Sequence, residues 1–382
     1  MDGSVNKVFM TADTVGGVWH YALELSRGLG AHGVQVALAT MGGCLSADQR
    51  AEAEAIPNLE VFDSRYKLAW MEDPWGDVQE AGPWLLDLVA QVRPAVVHLN
   101  DYVHGTLPWP APVLMVGHSC VLSWWEAVRG RQAPGDWLRY RGAVGRGLRA
   151  ADLVAAPTLA MLEALERYYG PLPNRRVIPN GRSPDRWQPG VKEPLILAAG
   201  RLWDEAKNLA ALAAVAPRLP WPVCVAGEDR HPDGGRSLLP NVRLLGRLAP
   251  DDLAGWLARA AIYALPARYE PFGLSALEAA LAGCALVLGD IPSLREVWGE
   301  AALFVPPDDP EALENALHAL IADPALRRRH ARLARARAAR FTPEAMADAY
   351  LDAYQSLLRA RSAGVRQVGV GIHDLPWAVG RP

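Results

Sequence analysis

The strongest constraint on the fold is an alternation of short apolar runs with longer amphipathic segments, sustained over most of the chain. Lys7–Thr11 leads through Gly16 and Gly17 into an amphipathic segment reaching His32, and a second apolar run follows at Gln35–Thr40. Further apolar runs fall at Leu59–Phe62, Ala95–Leu99, Val113–Val116, Leu153–Ala155 and Val177–Ile178, spaced by helical stretches such as Trp84–Val92 and Trp137–Ala150. Strands alternating with helices predict an α/β protein built on a parallel, doubly wound sheet.

A chain of 382 residues exceeds one ordinary hydrophobic core and suits two domains. Between Arg182 and Pro194 it turns polar and Pro-rich, which places a linker there. A second α/β series follows, with strands expected at Leu195–Ala199, Pro222–Ala226, Val242–Leu245, Ile262–Leu265, Ala285–Leu288 and Ala302–Val305. Helices are expected at Glu311–Ile321, at Pro324–Ala339 and from Thr342-Pro343 to about Arg361, with Thr342 as N-cap and Pro343 as first helical residue. The predicted domains are therefore 1–188 and 189–342, with 343–382 as a last helix and a Gly- and Pro-punctuated tail.

Net charge is −3, with 51% hydrophobic and 21% charged residues, which fits neither a disordered chain nor a globally basic nucleic-acid binder. Cys44, Cys120, Cys224 and Cys284 are scattered, without a CxxC pair or a His cluster, so no disulfide framework or metal site is expected. No run approaches the ~20 apolar residues of a membrane span, and the first residues lack signal-peptide character, so the expected location is the cytoplasm. Arg327, Arg328, Arg329, Arg332, Arg335, Arg337 and Arg340 crowd one helix; with Ala between them, a solvated face is favoured over a membrane contact.

The segment richest in chemistry is Tyr269-Glu270-Pro271-Phe272-Gly273-Leu274-Ser275-Ala276-Leu277-Glu278. It follows a strand and opens a helix, so backbone N–H groups and the positive end of the helix dipole lie at the strand's carboxyl edge, where a diphosphate would sit. Glu278 is placed to accept from ribose hydroxyls and Glu270 from sugar hydroxyls; on spacing alone, two solvated helix-end carboxylates fit as well. Upstream, Gly200-Arg201-Leu202 and Lys207-Asn208 supply two cations that would stabilise a departing nucleoside diphosphate. In the first half, Gly16-Gly17 follows the opening strand, and His118 follows Val113–Val116. Ser123-Trp124-Trp125-Glu126 reads as an acceptor-facing loop whose aromatic faces suit ring stacking, and Asn180-Gly181 reads as an exit turn.

Together these segments resemble the family 4 retaining glycosyltransferases. Glu270 to Glu278 is similar to their Glu-x7-Glu signature, with Pro271, Leu281 and Ala285 departing at packing positions. Gly200-Arg201 with Lys207-Asn208 resembles their Arg/Lys segment, Asn180-Gly181 their exit turn, and Gly227-Glu228 their nucleotide loop without its second Gly. The resemblance implies a GT-B fold of two Rossmann-like domains facing a cleft, with the last helix returning to the first domain. It implies retaining transfer of a sugar from a nucleoside-diphosphate sugar, without metal or other cofactor, to an acceptor that is a saccharide, a lipid-linked saccharide or a small aglycone. His118, Arg201, Lys207 and Glu270 are then the catalytic set. Gly16, Gly17, Arg201, Lys207, Phe272, Gly273, Leu274 and Glu278 are the donor-binding set, and Trp124, Trp125 and Asn180 face the acceptor. A sugar-nucleotide epimerase and a non-catalytic nucleotide-sugar binder remain as alternatives, and nucleotide, sugar and oligomeric state stay open.

Overall fold

Val8, Phe9 and Met10 are all fully buried, because the strand that carries them has a neighbour on each side and a covered layer on each face. This computed structural model describes residues 5–172, 174–230, 234–235 and 238–364. Its contacts divide the chain into two units: one holds residues up to Ser123, Ala133–Gly181 and the chain from Pro343, the other Trp124–Gln132 and Arg182–Thr342.

In the first unit the chain runs β1 (Lys7–Asp13), α1 (Gly17–Gly30), β2 (Gln35–Met41), α2 (Ala47–Glu54), β3 (Leu59–Asp63), α3 (Trp75–Val92), β4 (Val96–Leu99) and β5 (Val113–Val116). It continues through α4 (Val121–Arg129), α5 (Leu138–Ala150), β6 (Leu153–Ala156), α6 (Leu159–Tyr169) and β7 (Arg175–Val177). The sheet order is β3-β2-β1-β4-β5-β6-β7, and every pair is parallel. Alternation along β1 sends Phe9 to one core and Val8 and Met10 to another, each capped by helices.

The second unit contains β8 (Glu193–Ala199), α7 (Leu209–Val215), β9 (Val223–Ala226), β10 (Arg243–Gly246), α8 (Pro250–Arg259), β11 (Ala260–Leu265) and α9 (Leu274–Leu281). After these come β12 (Ala285–Gly289), α10 (Pro292–Trp298), β13 (Leu303–Val305), α11 (Pro310–Ala322) and α12 (Pro324–Ala338). Its sheet is also all-parallel, in the order β10-β9-β8-β11-β12-β13. In each sheet the chain winds outward from the central strand, then crosses to its other side, so a switch point falls at β1/β4 and again at β8/β11. Crevices open at the carboxyl ends of strands at such points.

Three expectations shift. The boundary falls at Gly181/Arg182 rather than after 188, because Arg182 donates its N–H to Phe341 O and its guanidinium to Glu278, both in the second unit. The segment expected as a Trp-bearing loop is the helix α4, and its part from Trp124 groups with the second unit. On α12, Arg327 stacks on Trp221 and donates to Leu320 O and Ile321 O, while Arg337 donates to Val297 O; those two arginines pack the helix, and Arg328, Arg329, Arg332 and Arg335 are exposed. The last helix, α13 (Pro343–Ser362), belongs to the first unit, where Ala347, Tyr350 and Tyr354 join the core beside α1. The tail expected from Gly364 onward lies, beyond that residue, outside the described residues.

Candidate functional site

In the second unit the loop after β8 is tied down before any ligand arrives. Gly200 N–H donates to Ala226 O and Leu202 N–H to Glu228 O, zipping this loop to the one after β9. Gly227 permits the approach: a Cβ there would lie 1.8 Å from Gly200 O. Asn208 adopts a left-handed backbone, φ 54°, and its amide donates to Pro266 O and Pro307 O, while Arg268 N–H donates to Ala206 O. The segment Arg201–Asn208 is thereby fixed against the loop that follows β11.

Both expected cations emerge from that segment. Lys207 Nζ lies 2.6 Å from Glu270 Oε2, and both side chains are largely buried. Glu270 Oε1 accepts from Gly273 N–H at 3.1 Å, and Glu270 O accepts from Ser293 Oγ at 2.6 Å. Gly273, at φ +91°, provides the left-handed turn into α9 and leaves that helix without a side-chain cap, so its first-turn N–H groups face the loop. Phe272 turns its ring away, edge-on to Phe341 at 5.5 Å, and Leu274 packs on the core; only their backbone serves the loop. Glu278 and Arg182 form a buried ion pair, in which Glu278 Oε1 takes both Arg182 Nε at 2.8 Å and a second guanidinium nitrogen at 2.5 Å.

Arg201 stacks on Trp203 and donates to Asp204 Oδ2 at 2.8 Å. Asp204 has no counterpart among the sequence candidates. Its Oδ1 accepts from Ala206 N–H and from Trp124 Nε1, each at 3.1 Å, and Arg129 adds a bidentate pair with Glu205. Burial alone would raise the Asp204 carboxyl, but the charges of Lys207 and Arg201, with bonds from Arg201 and Trp124, outweigh it and hold it below its ordinary value. Trp124 and Trp125 carry Arg129 over their rings, so α4 is anchored to the cation-bearing segment.

The first unit gathers its candidates at the carboxyl ends of β1, β4 and β5. Gly16, at φ 107°, precedes α1, whose first residue Gly17 is exposed. His118 Nε2 lies 2.7 Å from Asn100 Oδ1, and the His118 ring stands edge-on to Tyr21 at 4.4 Å. His98 is wholly buried between Tyr354, Tyr21 and Asn100. Desolvation pushes both imidazoles down to about 3, helped for His98 by the His118 ring, so both are neutral at pH 7. Asp101 and His104 form a buried pair with 2.8 Å between Oδ1 and Nδ1; burial opposes their charges, yet each favours the charged form of the other, lowering the carboxyl and raising the imidazole. Asn180 is buried in the exit turn before Gly181. Among the described residues no group of three His, Cys, Asp or Glu side chains is placed to hold a metal ion.

Two stretches of the sequence match known families: residues 15–186 match Glycosyltransferase Family 4, and residues 193–323 match Glycosyl transferases group 1. The chain belongs to the family 4 glycosyltransferases. Glycogen synthase of Mycobacterium tuberculosis is 29% identical over 316 residues, 74% of either chain. D-inositol 3-phosphate glycosyltransferase of Xylanimonas cellulosilytica is 28% identical over 405 residues, 91% of this chain and 93% of its own. Sucrose-phosphate synthase of Thermosynechococcus elongatus superposes with a TM-score of 0.78 at 21% identity, over 93% of this chain and all of its own. Anabaena HepE in complex with UDP-glucose superposes at 0.71 and 16% identity, over 94% of this chain and 99% of its own. The fold of this glycosyltransferase is GT-B, and its activity is glycosyl transfer, which sets aside the epimerase and the non-catalytic binder. Sequence reasoning missed Asn100, Asp204 and Arg182 in this family 4 chain. The only signal was polar residues directly after strands, in Leu99-Asn100-Asp101 and Gly200-Arg201-Leu202-Trp203-Asp204.

Proposed function

We propose that this glycosyltransferase moves a hexosyl group from a nucleoside-diphosphate sugar to an acceptor hydroxyl with retention at C1. The observation that carries the reading is the pairing of two cations with an uncapped helix start: Arg201 and Lys207 sit in a pinned segment whose Lys207 meets Glu270, three residues before Gly273. A diphosphate is the ligand such a place suits, since N–H groups at a helix start and two nearby cations can take its oxygens in exchange for the carboxylates that hold those cations. As the C1–oxygen bond breaks, the departing diphosphate takes the acceptor's proton, and the new bond forms on the same face, so no side-chain nucleophile is required. Glu270 takes sugar hydroxyls once a diphosphate competes for Lys207, and Glu278, oriented by Arg182, takes the ribose. His118 is assigned to the transferred sugar.

UDP-glucose bound to HepE, which shares this fold, favours a nucleotide sugar as donor. An intracellular setting fits four cysteines that form no disulfide. Among the described residues no helix is long and apolar enough to cross a membrane. Thermal shift against UDP, GDP and ADP and their sugars in EDTA tests the donor class: one nucleotide should raise the melting temperature. Proton NMR of the product then reads the anomeric configuration. An inverted anomeric centre, or no shift with any nucleotide, would refute the proposal.

A further inference from the structure

Arg201 is anchored by a carboxylate far more deeply buried than itself. The Arg201 side chain is 34% exposed and that of Asp204 only 6%, with Nη2 of the one 2.8 Å from Oδ2 of the other. A guanidinium carries five N–H groups, so the bond to Asp204 leaves donors for an anion. Trp203 adds a ring 4.8 Å from the guanidinium carbon. Held at two places, the side chain has less rotamer entropy to give up when an anion arrives.

The carboxylate is in turn held at its other oxygen. Asp204 Oδ1 accepts from Ala206 N–H and from the Trp124 indole N–H, each at 3.1 Å, and Asp204 O accepts from Lys207 N–H at 2.9 Å. The two backbone N–H groups belong to the short turn that carries Lys207. The indole comes from α4, which a bidentate Arg129–Glu205 pair ties to the same turn. Trp124 commits the only polar hydrogen of its side chain to this bond, and the Arg129 guanidinium lies 5.7 Å from its ring centre.

We propose that Asp204 is a positioning residue that orders Arg201 for an anionic ligand, and that Trp124 sets Asp204 for this task instead of stacking on an acceptor. The proposal rests on the diphosphate clamp put forward above. Charge alone predicts the opposite sign: a carboxylate near a diphosphate repels it, so neutralising that carboxylate would tighten binding. A carboxylate that works by ordering Arg201 matters only while Arg201 is present.

A double-mutant cycle on the full chain tests this, with calorimetric affinity for UDP, GDP and ADP in EDTA as the readout. Asp204→Asn keeps an oxygen for Ala206 N–H and Trp124 and places an amide nitrogen opposite Arg201, so it removes the ion pair and preserves the turn. It should weaken the nucleotide that the wild type binds by about tenfold. In an Arg201→Ala background the same change should alter affinity by less than about twofold. Trp124→Phe, which loses the N–H and keeps an aromatic ring, should weaken binding about threefold and add nothing to Asp204→Asn. Circular dichroism checks that each variant is folded; should Asp204→Asn not fold, Trp124→Phe with Arg201→Ala closes the equivalent cycle. Tighter binding by Asp204→Asn would assign the carboxylate to repulsion, and an equal loss with and without Arg201 would assign it to the turn; either result overturns the proposal. Unchanged affinity in folded Trp124→Phe would overturn the part given to Trp124. A wild type that binds none of the three nucleotides would instead overturn the diphosphate clamp itself.

Discussion

The two units build their sheet-edge sites from opposite materials. The second uses full charges in pairs, Arg201 with Asp204, Lys207 with Glu270 and Arg182 with Glu278. The first surrounds His118 with neutral donors and acceptors, Tyr21, His98 and Asn100. The proposed function accounts for the difference: a departing diphosphate gains charge and needs cations, which stay ordered only if carboxylates hold them until the ligand arrives. A sugar is uncharged and is recognised by hydrogen-bond direction, which a neutral network fixes more sharply than a charge does. Charge pairs also set how each unit fails.

The largest effect should come from Glu278→Ala. It removes the carboxylate that pairs with the buried Arg182 guanidinium and should cost about 3–5 kcal/mol in denaturant unfolding. A loss below about 1 kcal/mol would show that the pair is not structural. Next, Lys207→Ala should lower kcat by about a hundredfold or more. Its melting temperature should fall less than that of Glu278→Ala, because Glu270 is less deeply buried than Glu278 and keeps the Gly273 N–H bond. Full activity would move the phosphate role elsewhere.

Acid should separate the units. His98 has a folded value of about 3, below the ordinary ~6.5 of the unfolded chain, so its stabilising contribution is full above about pH 6.5 and is lost as pH falls toward 3. Within that window the slope is about 1.4 kcal/mol per pH unit. Asp204 is also lowered, but from ~3.9, so the second unit yields that contribution only below about pH 4. His104 is raised, and its contribution is full below about pH 6.5 and lost at higher pH. Hydrogen exchange as pH falls from 6.5 to 4 should therefore show α1, β4 and α13 opening before β8 and β11. The reverse order would contradict the assignment. The smallest effect belongs to α12: Arg332→Glu with Arg335→Glu should change stability by no more than about 0.5 kcal/mol, read by denaturant melts. It should also leave the protein free of anionic vesicles in sedimentation.

This contrast also explains what the sequence revealed. Strand and helix order was legible because parallel strands buried on both faces read as apolar runs; Val113–Val116 and Ala285–Leu288 match the structure almost residue for residue. The residues proposed as a diphosphate clamp stood out in the sequence because Arg201, Lys207 and the Glu270/Glu278 spacing lie in contiguous motifs. Asn100 was not, since its partners Thr11, His118 and His98 come from three strands whose adjacency exists only once the sheet forms. Trp124 was read as a loop residue facing a ligand, yet it donates to Asp204, 80 residues away, a pairing that no local pattern encodes.

The central claim is the paired-cation diphosphate clamp, and calorimetric titration of UDP, GDP and ADP into wild type, Arg201→Ala and Lys207→Ala in EDTA tests it most directly. One nucleoside diphosphate should bind the wild type and bind each variant about tenfold or more weakly. Equal affinity for wild type and both folded variants, or binding that requires added divalent metal, would contradict it.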